Sequence, residues 1–503
     1  MKKRMALGLL LVLVFAVNTI SMPRRFYSGD AFAARAGAAH FINTGRFGIE
    51  FTERDQIADL LDEKGQYLFN NDEQARFYSK YGMVNSALFF PPLLLEKLVV
   101  GRLGLITKTR SLLLYLNLYF VLLSLLIAFY LFRLASLYTA RPWVALAFAL
   151  ACLYGTFLWN YLRAQTFEIF QVLFFVMLAY HWIVYWRTAR CSSPQKGHLL
   201  LALGCAVIFS CLKAYHALIF PVFLAAWAVE HHDTKEWKLG WREPTWILAA
   251  AACTGIIVML ANQAQFGGLL EFGYFQWQRE GQLFHGFAWQ NLRDAVPGFV
   301  LRENRSVFLH FPLLLLAIFG SRVYAGKHSY EALFLGLSFV TFFLFVSASK
   351  GWEGQACYGP RYLLPFLPAL SLPAISWLDG TFDSTRKPML AKSCQLAVLI
   401  CLLASAKIQW SVNRLDFFAS YHIHGYFVQG YFKDIQVPSV EQYFDHHLGI
   451  IFADLAAYRD GESTFPPVEM LKQVDSVPEE KLNQLQSAIR SHRVLRPNFY
   501  FFP

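Results

Sequence analysis

Five short clusters in this 503-residue chain set acidic, basic and aromatic side chains beside long apolar runs. Tyr27-Ser28-Gly29-Asp30 follows the first run. Gly29 permits a tight turn there, and the Asp30 carboxylate either acts as a general base, binds a cation, or caps the next helix. Tyr78-Ser79-Lys80-Tyr81-Gly82 precedes the second run. It reads either as an interfacial aromatic belt with a snorkelling Lys80, or as a phosphate site with the Tyr78 and Tyr81 phenols on either side of the ammonium. Asn160-Tyr161-Leu162-Arg163 is followed by Glu168 at the mouth of another run. Arg163 and Glu168 pair with each other, or Glu168 completes a divalent-metal or acceptor site with Asp30; an ionisable group at membrane depth is costly and points to function. In Lys213-Ala214-Tyr215-His216 the lysine lies between two apolar runs and needs an anionic partner, a carboxylate or a phosphate. His216 alone fits a packed core histidine as well as a pocket residue. Gly351-Trp352-Glu353-Gly354 leads into Tyr358-Gly359-Pro360-Arg361-Tyr362. Its glycines and Pro360 force a turn that holds Arg361 and Tyr362 at the start of a span. A guanidinium fixed at a lipid interface suits a phosphate, the alternative being an anchor that faces headgroups.

The elements that must position these residues are membrane spans. Hydrophobic residues make up 56% of the chain and charged residues only 16%, against ~25% charged in soluble domains. Twelve apolar runs approach the ~20 residues that cross a bilayer: 5–22, 84–101, 112–131, 143–158, 166–186, 198–212, 214–229, 246–266, 306–321, 329–348, 362–378 and 393–410. The first follows a basic start and is followed by Pro23-Arg24-Arg25 rather than a small-residue cleavage pattern, so it reads as a retained span. The net charge is +11, yet residues 23–83 carry eight Lys/Arg against nine Asp/Glu, and residues 411–503 eight against eleven. The excess therefore lies in short loops, the mark of a cytoplasmic side, and no nucleic-acid partner is implied. Basic loops at 132–142, 187–198, 322–328 and 379–392 face inward by this rule; 23–83, 159–165, 267–305 and 349–361 face outward. Consistent alternation needs an even number of crossings between residues 83 and 159. Run 84–101, broken by Pro91-Pro92 and ending in Glu96-Lys97, is then expected to dip in without crossing, which leaves about eleven spans.

The expected fold is thus an all-α polytopic membrane protein. Residues 1–410 form the membrane domain, with a first outer loop, 23–83, that contains an interfacial helix over 30–42, and a second outer loop, 267–305. Residues 411–503 form a small, mainly helical outer region. The eight cysteines show no C-x-x-C spacing, which supports neither a disulfide framework nor a zinc site. There is no Gly-rich phosphate loop, His-rich metal motif or G-x-S-x-G, so ATP hydrolysis and serine-hydrolase chemistry have no support.

The order Ser28-Gly29-Asp30, Tyr78 to Gly82 and Gly359-Pro360-Arg361-Tyr362-Leu363 resembles the C-type (GT-C) glycosyltransferases that use polyprenyl-phosphate sugars, a group with protein O-mannosyltransferases and lipid A aminoarabinose transferase among its members. The resemblance covers roughly residues 1–410. It implies Asp30 as catalytic base, Lys80, Lys213 and Arg361 as donor-phosphate contacts, and Tyr78, Tyr81, Arg163, His216, Trp352, Glu353 and Tyr362 around the substrates. Glu168 stands where the family often has a second acidic residue linked to a divalent metal, Mg2+ or Mn2+, but Thr166-Phe167-Glu168 is not a clean acidic pair. The resemblance further implies an inverting transfer from a polyprenyl-phosphate sugar to a lipid, glycan or protein acceptor. The enzyme would sit in a bacterial cytoplasmic membrane, in contact with its lipids, with the site and the C-terminus outside. A carrier of lipid-linked saccharides is the other reading; it predicts broken spans in repeated halves and charges at mid-membrane, where this chain gathers them at one face.

Overall fold

The computed structural model describes residues 3–24, 26, 29–53, 68–71, 75–79, 81–105, 108–191, 194–234, 242–271, 288–302, 305–349, 351–354, 359–382 and 402–410, with single positions beyond. The chain opens with α1 (Lys3–Ile20) and α2 (Gly29–Thr44). Strands β1 (Ile49–Glu50), β2 (Leu68–Asn71) and β3 (Arg76–Ser79) follow, then α3 (Met83–Ala87) and α4 (Phe90–Val100). Next come α5 (Arg110–Ala135), α6 (Pro142–Tyr154), α7 (Leu158–Arg163), α8 (Glu168–Arg190) and α9 (Lys196–Leu212). A 3-10 turn, Ala214–Leu218, leads to α10 (Ile219–Thr234) and α11 (Arg242–Phe266). The last described elements are α12 (Trp289–Leu301), α13 (Val307–His310), α14 (Leu313–Lys327), α15 (Ser329–Ala348), α16 (Leu367–Leu370) and α17 (Pro373–Phe382).

Five of these helices, α1, α5, α8, α11 and α15, are long and apolar enough to cross a membrane. This is a multi-pass membrane protein. Its axis is α8, whose faces are nearly all covered by α5, α9, Phe334 of α15 and Phe366 just before α16. A helix apolar all round belongs in a core or a bilayer, and α8 is the former within the latter. By contrast α4 carries Leu98 and Val99 outward, 82% and 62% exposed. Pro91 and Pro92 pre-set its first turn, and Gly101, at φ 74°, ends it. Its 11 residues reach about 16 Å, roughly half of the ~30 Å hydrocarbon layer.

One end of the bundle is tied by charge. Arg187 of α8 meets Glu331 of α15 at 2.8 Å and donates to the Leu137 carbonyl at 2.8 Å, while Thr139 donates to Asp379 at 3.1 Å. These are the residues of the basic loops. The segment between α1 and α3 packs onto the bundle. The expected helix over 30–42 is α2, and its Ala31, Ala34, Ala38 and Ala39 join the main core. The three strands were not expected from the sequence. β3 is central and antiparallel to both neighbours, with Ile49 opposite Phe77 and Phe69 opposite Tyr78. Gly48 is required beside this sheet: it has φ +82°, and a Cβ there would stand 2.4 Å from the Tyr78 ring.

Candidate functional site

Lys213 sits where α9 stops. It is extended, at φ −147° and ψ 129°, and so breaks the helical hydrogen-bond ladder. A helix end leaves carbonyls without intrahelical partners, and here side chains supply them. His216 donates from Nδ1 to the Phe209 carbonyl at 2.9 Å, and Asn85 donates from Nδ2 to the Leu212 carbonyl at 2.9 Å. The His216 backbone N–H closes the turn on the Lys213 carbonyl at 2.9 Å. The His216 ring lies flat on Phe209, centroids 3.9 Å apart at 4°, and is fully buried. His216 therefore holds the turn beneath Lys213.

From this turn the Lys213 ammonium reaches the face of Tyr362, 4.5 Å from the ring centre. The Arg361 guanidinium lies 4.9 Å from the same ring and donates to the Tyr362 hydroxyl at 3.1 Å. Two cations from residues 148 positions apart in sequence thus lie against one aromatic ring. Ring quadrupoles attract each cation, but the two like charges repel, and an anion between them removes that repulsion. The loop that delivers Arg361 is built on Gly359. That residue has φ +68°, and a Cβ on it would stand 2.7 Å from the Phe157 ring. Its carbonyl accepts from Arg305 at 3.3 Å, and a run of tight turns over Pro360 to Leu364 follows.

A partly open cleft runs past this turn. Tyr81, Leu212, Lys213, Ile257, Asn262 and Phe266 are among its walls, so it is mostly apolar with an ammonium on one wall. Tyr81 also lies 5.0 Å from Phe167, the residue before Glu168. Above the cleft, Tyr78 packs on Phe266 at 5.5 Å and is buried, which raises its phenol pKa against the opposing effect of Arg76. It stays a neutral donor at physiological pH.

Asp30 is the second residue of α2. α2 approaches α3 so closely that a Cβ on Gly37 would stand 3.5 Å from the Ser86 hydroxyl, and the neighbouring Asn85 holds the end of α9. One continuous path of contacts therefore joins α2, Asn85, Lys213, Tyr362 and Arg361. Lys80 lies outside the described residues. Arg163 is spent on structure: it donates to the Ser21 carbonyl and to Asn413, not to Glu168. Trp352 and Glu353 face α12. The Trp352 ring packs on Phe299 at 5.0 Å, and Glu353 meets Arg302 at 3.5 Å. Glu168 opens α8, 5% exposed, and makes no hydrogen bond or ion pair among the described residues. As a carboxylate in a first helical turn it is favoured by the helix dipole. No three His, Cys, Asp or Glu side chains converge among the described residues. Glu168 by itself is no metal-ligand set.

Asn85 and Arg305 carry parts of this site that the sequence reading did not assign. A lone Asn at the start of an apolar run, and an Arg beside one, were the available signals.

No protein-family model matches the sequence, and no curated protein does either. Solved structures do match. One is the oligosaccharyltransferase of Archaeoglobus fulgidus tethered with an acceptor peptide containing the NVT sequon, at 12% identity and a TM-score of 0.53, over 81% of this chain and 55% of that one. Another is the archaeal oligosaccharyltransferase AglB of the same organism in complex with an inhibitory peptide and a dolichol-phosphate, at 10% identity and a TM-score of 0.53, again over 81% and 55%. ArnT from Cupriavidus metallidurans bound to undecaprenyl phosphate matches at 13% identity over 96% of this chain and 76% of that one, with a TM-score of 0.49. The chain spans about half the length of the archaeal enzyme it matches. At such identities the archaeal likeness is one of fold: this chain shares the fold of the archaeal oligosaccharyltransferase over most of its length.

Proposed function

We propose that this protein is an inverting glycosyltransferase. It moves a sugar from a polyprenyl-phosphate donor to a hydroxyl of a lipid, glycan or protein acceptor, on the outer face of a bacterial cytoplasmic membrane that it crosses eleven times, with residues 411–503 outside. The observation that carries this reading is the pair of cations, Lys213 and Arg361, each within 5 Å of the Tyr362 ring centre, with Lys213 also on the wall of a mostly apolar cleft. An isoprenoid chain suits the cleft and a phosphate suits the cations. The GT-C fold, with one match holding a dolichol-phosphate and another an acceptor peptide, supports the same reading.

The acceptor oxygen bonds to the anomeric carbon as the bond from that carbon to the phosphate oxygen breaks. The electron pair leaves on the polyprenyl phosphate, and the hydroxyl proton passes to the Asp30 carboxylate. One displacement inverts the anomeric centre and needs no covalent intermediate. Negative charge grows on the departing phosphate, and Lys213 and Arg361, held in advance by the capped α9 end and the Gly359 turn, stabilise it. Lys80 is assigned to the same phosphate, and Tyr78 and Tyr81 to the outer wall. Trp352, Glu353, Arg163 and His216 support the walls from behind, and Glu168 stands ready for the acceptor or a divalent ion.

The test is transfer of label from a polyprenyl-phosphate sugar in membranes holding Asp30→Asn or Lys213→Ala. Loss of about 10²–10³-fold in each, at unchanged protein level, is expected from removal of the general base in one and of a charge-stabilising cation in the other. Full transfer by both variants refutes the site. Movement of the lipid-linked saccharide across the bilayer without transfer identifies a carrier instead.

A further inference from the structure

Arg35, in the middle of α2, is 4% exposed, and neither Nε, Nη1 nor Nη2 has a hydrogen-bond partner among the described residues. Buried charges are normally paired, because an unpaired one forfeits its hydration without return. Burial draws the guanidinium pKa down to about 9, so it keeps its proton at neutral pH. Its surroundings are aromatic: the guanidinium carbon lies 4.2 Å from the Phe32 ring centre and 4.9 Å from that of Phe26. The two centroids are 5.7 Å apart, so the rings meet at roughly a right angle as seen from the cation. They wall it on two sides and leave its remaining N–H groups unanswered.

Side chains on a helix lean toward its N-terminus. Contact with Phe32, one turn back, and with Phe26, ahead of the helix, places the guanidinium beside the first turn of α2, a helix of 16 residues. That turn carries the positive end of the helix dipole. A second cation, Lys108, lies 5.8 Å from the same Phe32 ring.

We propose that the first turn of α2 and the Arg35 guanidinium form an oxyanion site, separate from the Lys213–Arg361 pair, that takes a phosphate group. The buried fork matches a phosphate bidentately, which a lysine could not do. The site does not depend on glycosyl transfer being the reaction. Either a lipid headgroup or a soluble phosphate presents this chemistry.

The test uses the full chain in phosphatidylcholine nanodiscs, in a Lys213→Ala background that weakens the other phosphate site, so that the Arg35 variants report on this one. Thermal unfolding is followed against added inorganic phosphate and, separately, against polyprenyl phosphate built into the disc. Stabilisation by at least one probe is expected: by both if soluble oxyanions enter, by the lipid alone if the site reads headgroups. Arg35→Met should melt above the parent without probe, because it removes an uncompensated charge, and should need at least about tenfold more probe for the same shift. Arg35→Lys, which keeps the charge without the fork, covers the case in which Arg35→Met does not fold, and the same weakening is expected. An unchanged probe response in the Arg35 variants, or no response in the parent to either probe, overturns the site. Failure of Asp30→Asn to abolish transfer leaves this result untouched.

Discussion

Replacing His216 by phenylalanine separates the two contacts that hold the end of α9. The substitution keeps a flat ring on Phe209 and deletes one hydrogen bond, leaving the Phe209 carbonyl unanswered in a fully buried position. Stranding a buried acceptor costs about 1–3 kcal/mol, which lowers the melting temperature by a few degrees in a chain of this size. His216→Asn makes the complementary cut: it retains a donor and loses the parallel stack, worth about 0.5–1.5 kcal/mol. Both loosen the turn from which Lys213 reaches Tyr362. Displacement of a phosphate contact by an ångström costs up to about 10²-fold, and it should fall on KM for the polyprenyl-phosphate donor more than on KM for the acceptor. The assay is thermal unfolding in nanodiscs paired with initial rates at varied donor. If His216→Phe melts like the parent and keeps its donor KM, the carbonyl contact has no part in placing Lys213.

Two other perturbations test neighbouring parts of the structure. Gly359→Ala forces a left-handed backbone on alanine and drives a methyl to 2.7 Å from Phe157; strain and overpacking together should cost about 2–4 kcal/mol, and a melting temperature equal to the parent's would contradict the turn as described. His40 of α2, facing Glu53, Glu50 and Arg76, has its pKa lowered by burial even though both glutamates raise it. The folded state therefore binds the proton less readily than the unfolded chain, and stability is lost as pH falls below the unfolded value of about 6.5. His40→Gln should flatten unfolding free energy between pH 5 and 7, and an unchanged slope would assign the effect elsewhere.

Much of the architecture was legible because one physical rule writes it. Apolar runs of bilayer length must be helices, since only helices satisfy their own backbone in lipid, and α5, α8, α11 and α15 lie where the runs 112–131, 166–186, 246–266 and 329–348 predict. The helix over 30–42 was readable from its caps and alanines. The strands were not. β2 and β3 are four residues each, too short for alternation to stand out, although Asn70-Asn71-Asp72 between aromatic stretches marks the hairpin in retrospect. In the site, Lys213 was readable as a cation set between two apolar runs, and Arg361 as one held by a turn at the start of a span. Their meeting on Tyr362 was not, because no local pattern encodes a contact across 148 residues. Arg163 looked like Glu168's partner by spacing, yet its guanidinium goes to the Ser21 carbonyl and to Asn413. Carbonyl acceptors leave no trace in a side-chain sequence.

The helices that flank Lys213 are short. α9 has 17 residues and α10 has 16, so each rises about 25 Å beneath a hydrocarbon layer of ~30 Å. If both cross the bilayer, as the proposed function requires, the tip between them ends several ångströms short of the headgroup plane. A phosphate that meets the ammonium there must sink, or the leaflet must dimple toward it at a cost of fractions of a kcal/mol per ångström. The thickness of the surrounding membrane then becomes a determinant of how firmly the lipid is gripped.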